Sequence, residues 1–430
     1  MGITHVKYLI VGGGLAGSTA AEAIRRRDPA GGAMLVGLEV SRPYNRPPLS
    51  REYLLRRTTR SDLTTHPIGW FVGQQVQLRT ATRVTHVDVA RRCVTLNNAE
   101  EVAFDTLLIA TGSGPKPLRV KGADLPNVFH LRTIEDADRI LHAMDQARAE
   151  GRPHPADPDK AKPPARGRAV VVGAGLLGVD LACTLTEAGL HVDLVTRHPH
   201  VWRKFAGESA ARLVARYLES KHVTVHVDTL IDRLDGDGRV QRVVLSDGRT
   251  IETDLVIPAL GSAMNRDILR GTPIAAEKAI LVDEGCRTNL PGVFAAGDCA
   301  AVFDPAFGKH CIRDHWENAR VTGEIAGANM AGEPIALASV NTFGTTVFDL
   351  PVTAWGEGRF VDHRLTRGSV HGPEKIIEFG LSADGRLAQV IAVGQSEHHG
   401  SLRELVARRA ATAGFEERLK DPAFDLDTLI

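Results

Sequence analysis

The chain carries two copies of G-x-G-x-x-G, each preceded by a short run of apolar β-formers and followed by a helix-like stretch. The first, Gly12-Gly13-Gly14-Leu15-Ala16-Gly17, follows Tyr8-Leu9-Ile10-Val11. It opens an Ala-rich stretch, Gly17 to Arg27, with basic residues in its last turn. The second, Gly173-Ala174-Gly175-Leu176-Leu177-Gly178, follows Ala169-Val170-Val171-Val172. It opens a stretch of apolar residues at helical spacing that stops at Gly189. In such a strand–turn–helix the first glycine permits the tight turn, and the second lets backbone N–H groups approach a pyrophosphate. The third lets helix and strand pack closely. Two such units predict two Rossmann-like, doubly wound α/β domains with one dinucleotide each.

The strands that follow the two motifs end differently. Glu39 lies 22 residues past Gly17 (39 − 17), after Ala33-Met34-Leu35-Val36, where a carboxylate accepts both hydroxyls of a ribose. The corresponding strand of the second unit, His191-Val192-Asp193-Leu194-Val195, ends in Thr196-Arg197-His198, with Arg197 19 residues past Gly178 (197 − 178). A carboxylate there favours NAD, whereas guanidinium groups match the dianionic 2′-phosphate of NADP. Arg203 and Lys204 add positive charge nearby. NADPH is therefore favoured over NADH, with an ordinary solvated turn at Arg197 and His198 as the alternative.

A length of 430 residues predicts two or three domains. The balance of 52 basic against 52 acidic residues argues against a nucleic-acid partner. The run Tyr8 to Val11 is too short to cross a membrane and leads into glycines rather than a cleavage site, so neither a span nor a signal peptide is read. The five cysteines show no C-x-x-C or zinc-like spacing, which predicts no metal site and suits a reducing, cytoplasmic compartment. Gly151 to Gly167 carries five prolines and reads as a solvent-exposed insertion. Strands at Val223 to Val227 and Val240 to Leu245, with Asp-Gly turns at Asp235, Asp237 and Asp247, suit an antiparallel excursion. From about Phe343, short β-like runs (Lys375 to Phe379, Ala388 to Val393) precede a helix, Ser401 to Ala413, and predict an α+β C-terminal domain.

The two fingerprints, with Thr111-Gly112 after the strand Thr106 to Ala110 and with Val293-Phe294-Ala295-Ala296-Gly297-Asp298, resemble the FAD-dependent pyridine nucleotide–disulfide oxidoreductase superfamily over nearly the whole chain. The resemblance implies FAD in the first site and a nicotinamide dinucleotide in the second. It implies that Asp298 bonds the ribityl and phosphate region of FAD, and that Gly261 crosses behind the nicotinamide cofactor. It also implies a split FAD domain: 1–120 and 259–334, interrupted by a nicotinamide domain at 121–258 and followed by a C-terminal domain at 335–430.

Arg42-Pro43-Tyr44-Asn45-Arg46-Pro47-Pro48-Leu49-Ser50-Arg51 is similar to the R-P-Y-D-R-P-P-L-S-K segment of ferredoxin and rubredoxin reductases and of apoptosis-inducing factor. Members of that group place the final lysine near the flavin, paired with a glutamate. Here Arg51 replaces the lysine and Asp180, in Gly178-Val179-Asp180, replaces the glutamate. A longer cation with a shorter anion keeps the span, so Arg51 and Asp180 are expected as the flavin-proximal pair, with Arg46 also on FAD. Arg197-His198-Pro199-His200-Val201-Trp202-Arg203-Lys204-Phe205 is similar to the segment of glutathione reductases that reads the 2′-phosphate. His315-Trp316-Glu317-Asn318-Ala319 resembles the segment along the flavin pyrimidine, where Trp316 would pack; a partly buried core aromatic is its alternative.

Disulfide reductases of the superfamily carry a C-x-x-x-x-C in the first domain, and Glu39 to Leu55 contains no cysteine. The thiolate that disulfide exchange requires is thus missing. The resemblance implies instead that hydride passes from NAD(P)H to FAD and that electrons go on to an external acceptor such as a small ferredoxin- or rubredoxin-type iron–sulfur protein. An apoptosis-inducing-factor-like redox sensor with slow turnover, or an oxidase using oxygen or a quinone, remain as alternatives. Gly344 to Leu350 looks like the start of the dimerisation domain of NADH oxidases, which keeps a homodimer open. Trp355-Gly356-Glu357-Gly358 stands where ferredoxin reductases carry W-S-D, while Leu419 to Leu426 resembles their ending.

Overall fold

The computed structural model describes residues 3–150, 167–369, 375–394 and 398–430. The proline-rich insertion read in the sequence lies, except for Gly167, outside the described residues. The chain divides into two compact units, each drawn from separated stretches of sequence.

The first unit comprises 1–47, 59–114 and 262–339. At its centre Thr4–Val11, whose last four residues are all buried, pairs in parallel with Ala33–Val36 on one edge and Glu101–Ile109 on the other. Val76–Arg79 extends the sheet beyond Ala33–Val36, again in parallel. The far edge of Glu101–Ile109 is shared. Glu101 to Ala103 pair antiparallel with Cys93–Leu96, and Leu107 to Ile109 pair in parallel with Val293–Ala295, which returns from almost two hundred residues later in the chain. Burial on both faces at Tyr8 to Val11, Ala33 to Val36, Leu107 to Ile109 and Val293 to Ala295 explains why these stretches read as continuous apolar runs.

The helices Leu15–Arg27 and Trp316–Met330 pack on one another through small residues. A β-carbon at Gly323 would lie 2.4 Å from the carbonyl oxygen of Ala16, and one at Gly327 would lie 2.5 Å from that of Ala20. Backbones this close leave no space for larger side chains, so the alanines and glycines of both helices are one matched set.

The second unit comprises 48–58, 115–261 and 340–430. Its parallel sheet runs in the order Val223–His226, His191–Val195, Arg168–Val172, Leu255–Pro258. The strand expected over Val223 to Val227 therefore belongs to this sheet and not to the antiparallel excursion. The excursion is Ile231–Asp235, Arg242–Leu245 and Thr250–Glu252.

The C-terminal part is a five-stranded antiparallel sheet in the order Thr342–Val347, Leu350–Gly356, Leu387–Val393, Ile376–Leu381, His363–Gly368. Leu402, Leu405 and Val406 of the helix His399–Ala407 pack into its core. That helix ends six residues before the Ala413 expected from sequence. Arg409 turns into the left-handed region (φ 45), and the Arg409 and Ala410 N–H groups bond back to the Val406 and Leu405 carbonyls. No helix among the described residues is long and apolar enough to cross a membrane.

Candidate dinucleotide sites

Register assembles the first site. Val11 lies opposite both Val36 and Ile109, and Ile109 lies opposite Ala295, so four parallel strands end level with one another. Gly12, Glu39, Thr111 with Gly112, and Asp298 each follow one of those ends. Ligands of doubly wound sheets bind outside the carboxyl ends of the strands. Gly12 has φ 128, and a β-carbon there would meet the Ala110 carbonyl oxygen at 2.0 Å. At Gly17 it would meet the Gly12 carbonyl oxygen at 2.0 Å. Gly14, by contrast, has nothing within 4 Å, and the helix it opens has no side-chain cap. An open second glycine before uncapped helical N–H groups is the cradle a pyrophosphate needs.

Glu39 is already engaged on one side: Tyr44 Oη donates to its Oε2 at 2.6 Å and Arg46 Nη2 to its Oε1 at 2.5 Å. Arg46 Nη1 also donates to Tyr44 Oη at 2.9 Å. Each carboxylate oxygen keeps a further acceptor site. Asp298 accepts from Ser113 Oγ at 2.8 Å. Trp316 stands at the first position of its helix, which His315 caps by accepting from the Asn318 N–H at 3.3 Å. The indole is 47% exposed, which rules out the core aromatic offered as its alternative.

The second site repeats the arrangement. Val172, Val195, His226 and Pro258 end level in the parallel sheet. A β-carbon at Gly173 (φ 108) would meet the Ala259 carbonyl oxygen at 2.5 Å, and one at Gly178 the Gly173 carbonyl oxygen at 1.7 Å, whereas Gly175 has open space. Gly261 (φ 87) follows the fourth strand. Arg197, Arg203 and Lys204 are exposed, and among the described residues none has a carboxylate partner. Burial, together with the positive charges of Arg197, Lys204, Arg203 and His200, pushes the His198 imidazole below its ordinary value.

Sequence reasoning missed Trp202 as a shaping residue here. It is 2% exposed with a left-handed backbone (φ 54), and its N–H donates to the Ala174 carbonyl at 2.8 Å, pinning the cationic loop to the glycine-rich turn. A tryptophan at positive φ is a strained choice that only surrounding packing sustains. His200 Nδ1 and Trp202 Nε1 are buried in this loop without a hydrogen-bond partner. An open glycine and exposed cations together fit a phosphorylated nucleotide.

The expected Arg51–Asp180 contact takes a different form. Arg51 Nη2 donates to Glu187 Oε1 at 2.6 Å and to the Phe348 carbonyl at 2.8 Å, and Nη1 donates to Thr346 Oγ1 at 2.6 Å. Glu187 also accepts from Arg57 at 3.1 Å. The expected Arg51–Asp180 pair is therefore replaced by an Arg51–Glu187 pair. Asp180 bonds Ser50 instead, and burial pushes its carboxyl above the usual carboxylate range against the pull of Ser50 and of the Arg51 charge. All five cysteines are buried, and none is in a disulfide.

Two level sets of strand ends, each with its open glycine, define a protein that binds two dinucleotides. Residues 6–323 match the pyridine nucleotide-disulphide oxidoreductase family, and the chain belongs to it. That membership implies FAD and a nicotinamide dinucleotide as cofactors, and both cradles fit them. The chain is 30% identical over 412 residues to human apoptosis-inducing factor 3, covering 91% of this chain and 64% of that protein. It is 26% identical over 421 residues to the biphenyl dioxygenase system ferredoxin–NAD(+) reductase component of Paraburkholderia xenovorans, covering 98% and 97%. Among solved structures, a ferredoxin reductase from Rhodopseudomonas palustris superposes with a TM-score of 0.87 at 26% identity, covering 98% of this chain and 99% of that one. The chain thus spans under two thirds of the length of apoptosis-inducing factor 3 but nearly all of the two reductases.

Proposed function

We propose that the chain is an FAD-dependent NAD(P)H:acceptor oxidoreductase that delivers electrons to a small iron–sulfur protein of the ferredoxin or rubredoxin type. The observation that carries this reading is the coexistence of two dinucleotide cradles with five buried cysteines, none of which is in a disulfide. Electrons that enter from a nicotinamide have no protein disulfide to reach. Supporting it, relatives of matching length are named ferredoxin–NAD(+) reductase components, and one relative is named rubredoxin-NAD(+) reductase.

FAD, when bound, supplies the conversion of a two-electron hydride into single electrons. The protein's part is binding, orientation and charge. Gly12, Gly14 and Gly17 hold the FAD pyrophosphate, with Glu39 on the ribose, Arg46, Thr111, Gly112 and Asp298 around it, and Trp316 beside the ring system. Gly173, Gly175, Gly178 and Gly261 hold the nicotinamide dinucleotide. Arg197, His198 and Arg203 read a 2′-phosphate, so NADPH is the preferred donor. Arg51 keeps a fixed positive charge near the flavin, with Asp180 close by; such a charge favours an anionic reduced ring. We assign 1–120 and 259–334 to the FAD domain, 121–258 to the nicotinamide domain and 335–430 to the C-terminal domain.

The test is anaerobic mixing of the FAD-loaded protein with NADPH or NADH, followed by a ferredoxin, a rubredoxin, a quinone or oxygen. Rapid reoxidation by an iron–sulfur protein supports the reading. The likeness to apoptosis-inducing factor 3 favours one rival, a redox sensor, which predicts a long-lived charge-transfer band and no competent acceptor. Fast oxygen consumption with NAD(P)H alone makes the chain an oxidase instead. For the donor, Arg197→Glu with Arg203→Ala lowers kcat/KM for NADPH far more than for NADH; equal losses defeat the 2′-phosphate assignment.

A further inference from the structure

We propose that Glu187, and not Asp180, is the positioning residue that holds and partly neutralises the Arg51 guanidinium, so that Glu187 sets how much positive charge the flavin experiences. The inference rests on the reading above that Arg51 lies near the flavin. Seven residues separate Asp180 from Glu187 on the helix Leu176–Glu187, so both project from one face, about 10 Å apart along its axis. The anion opposite Arg51 has moved two turns toward the helix C-terminus.

Geometry explains why arginine stands at position 51. The guanidinium uses both terminal nitrogens: Nη2 reaches the Glu187 carboxylate and the Phe348 carbonyl, while Nη1 reaches Thr346 Oγ1. A lysine ammonium has no planar fork to hold these partners together. The Phe348 carbonyl is aimed by a tight turn between Thr342–Val347 and Leu350–Gly356, with Phe348 itself in the left-handed region (φ 54). That turn is fixed from its other side, where Asp349 accepts from Tyr217 Oη at 2.7 Å and pairs with Lys221 at 3.3 Å. The Arg51 and Glu187 side chains are 16% and 21% exposed, so solvent screens the pair only in part. Among the described residues Asp180 makes no such ion pair, although the Arg51 charge still acts on it. Enclosed and bonded to Ser50, its carboxyl is shifted toward the protonated, uncharged form.

The sign of the effect follows. Glu187→Gln removes a negative charge next to Arg51, while Thr346 and Phe348 still hold the guanidinium. The net charge sensed by the flavin becomes more positive, and an anionic reduced ring gains stability.

The experiment is the anaerobic midpoint potential of the flavin in the FAD-loaded protein at neutral pH. Glu187→Gln raises the reduced-to-oxidised ratio at fixed potential about tenfold, equivalent to about 30 mV for a two-electron couple. Glu187→Asp, which keeps the charge, returns the potential toward that of the unmodified protein. Asp180→Asn changes the ratio less than about twofold. A merely structural Glu187 would leave the potential alone. A large shift from Asp180→Asn with none from Glu187→Gln overturns the proposal. Arg51→Gln separates the two levels of failure: if it leaves the potential unmoved, the placement of Arg51 near the flavin is wrong and this inference falls with it. If it moves the potential while Glu187→Gln does not, only the role of Glu187 is lost.

Discussion

A β-carbon at position 178 would sit 1.7 Å from the Gly173 carbonyl oxygen, and one at position 175 would touch nothing within 4 Å. The two glycines of one motif therefore fail differently when replaced by alanine. Gly178→Ala forces the helix off its strand, an overpacking cost of about 1–3 kcal/mol, and lowers the denaturant midpoint. Gly175→Ala folds as before but loses nicotinamide dinucleotide affinity about tenfold or more by titration, because its methyl occupies the space meant for phosphate. Matching stability losses in both variants would contradict the assignment of roles. A carboxyl whose folded pKa is raised, as at Asp180, adds to stability below its unfolded pKa and loses that contribution as pH rises through the folded one. Asp180→Asn thus gains stability over the unmodified protein at neutral pH, and the difference fades as pH falls toward 4, the range of a free aspartate. Urea unfolding at several pH values checks this; a gap independent of pH overturns it. Glycine spacing and the acid or base after each second strand were legible in the sequence because they are local. Glu187 and Trp202 were not: Glu187 meets Arg51 from far along the chain, and Trp202 reaches the Ala174 carbonyl only because its own backbone is left-handed, which no motif announces.

At the scale of elements, the helix Glu208–Ser220 begins at Gly207, which has no side chain to cap it. The cap comes from a remote strand. Glu378, 1% exposed within Ile376–Leu381, accepts the Gly207 N–H at 2.8 Å and the Ala210 N–H at 2.9 Å. A β-carbon at position 207 would come within 2.8 Å of both Glu378 carboxylate oxygens, so glycine and glutamate are one device. Glu378→Gln presents an amide NH₂ to one of those donors and leaves it unsatisfied, at a cost of about 1–3 kcal/mol. The expected result is a lower urea midpoint with an unchanged slope, and an unshifted midpoint would show that the cap contributes nothing. The strand itself was readable from its apolar run, but the reason for a glutamate inside it was not. Other strands of the same sheet escaped notice for a related reason. Thr342–Val347 and His363–Gly368 alternate small, polar and basic residues, and their burial is uneven.

For the whole chain, the family name and the cysteines pull in opposite directions. A pyridine nucleotide–disulphide oxidoreductase that works on disulfides stores two electrons in its flavin and two in a cysteine pair. Here burial pushes the Cys183 thiol up to about 12 and raises Cys286 and Cys299 as well, so none of these offers the thiolate that exchange requires. Cys286 and Cys299 instead donate weakly to the carbonyls of Thr322 and Ile109, as small core residues do. Anaerobic titration with dithionite should therefore bleach the FAD-loaded protein after two electrons per chain, with no lag before the flavin absorbance falls and no further uptake. Alkylation under native conditions should leave the thiols unmodified and the two-electron endpoint unchanged, whereas all five cysteines react once the chain is unfolded. Uptake of four electrons, or loss of electron capacity on native alkylation, would reveal a thiol centre and return the chain to the disulfide-reducing branch of its family. An endpoint at two leaves the flavin as the only store, and electrons must then leave it directly for the external acceptor.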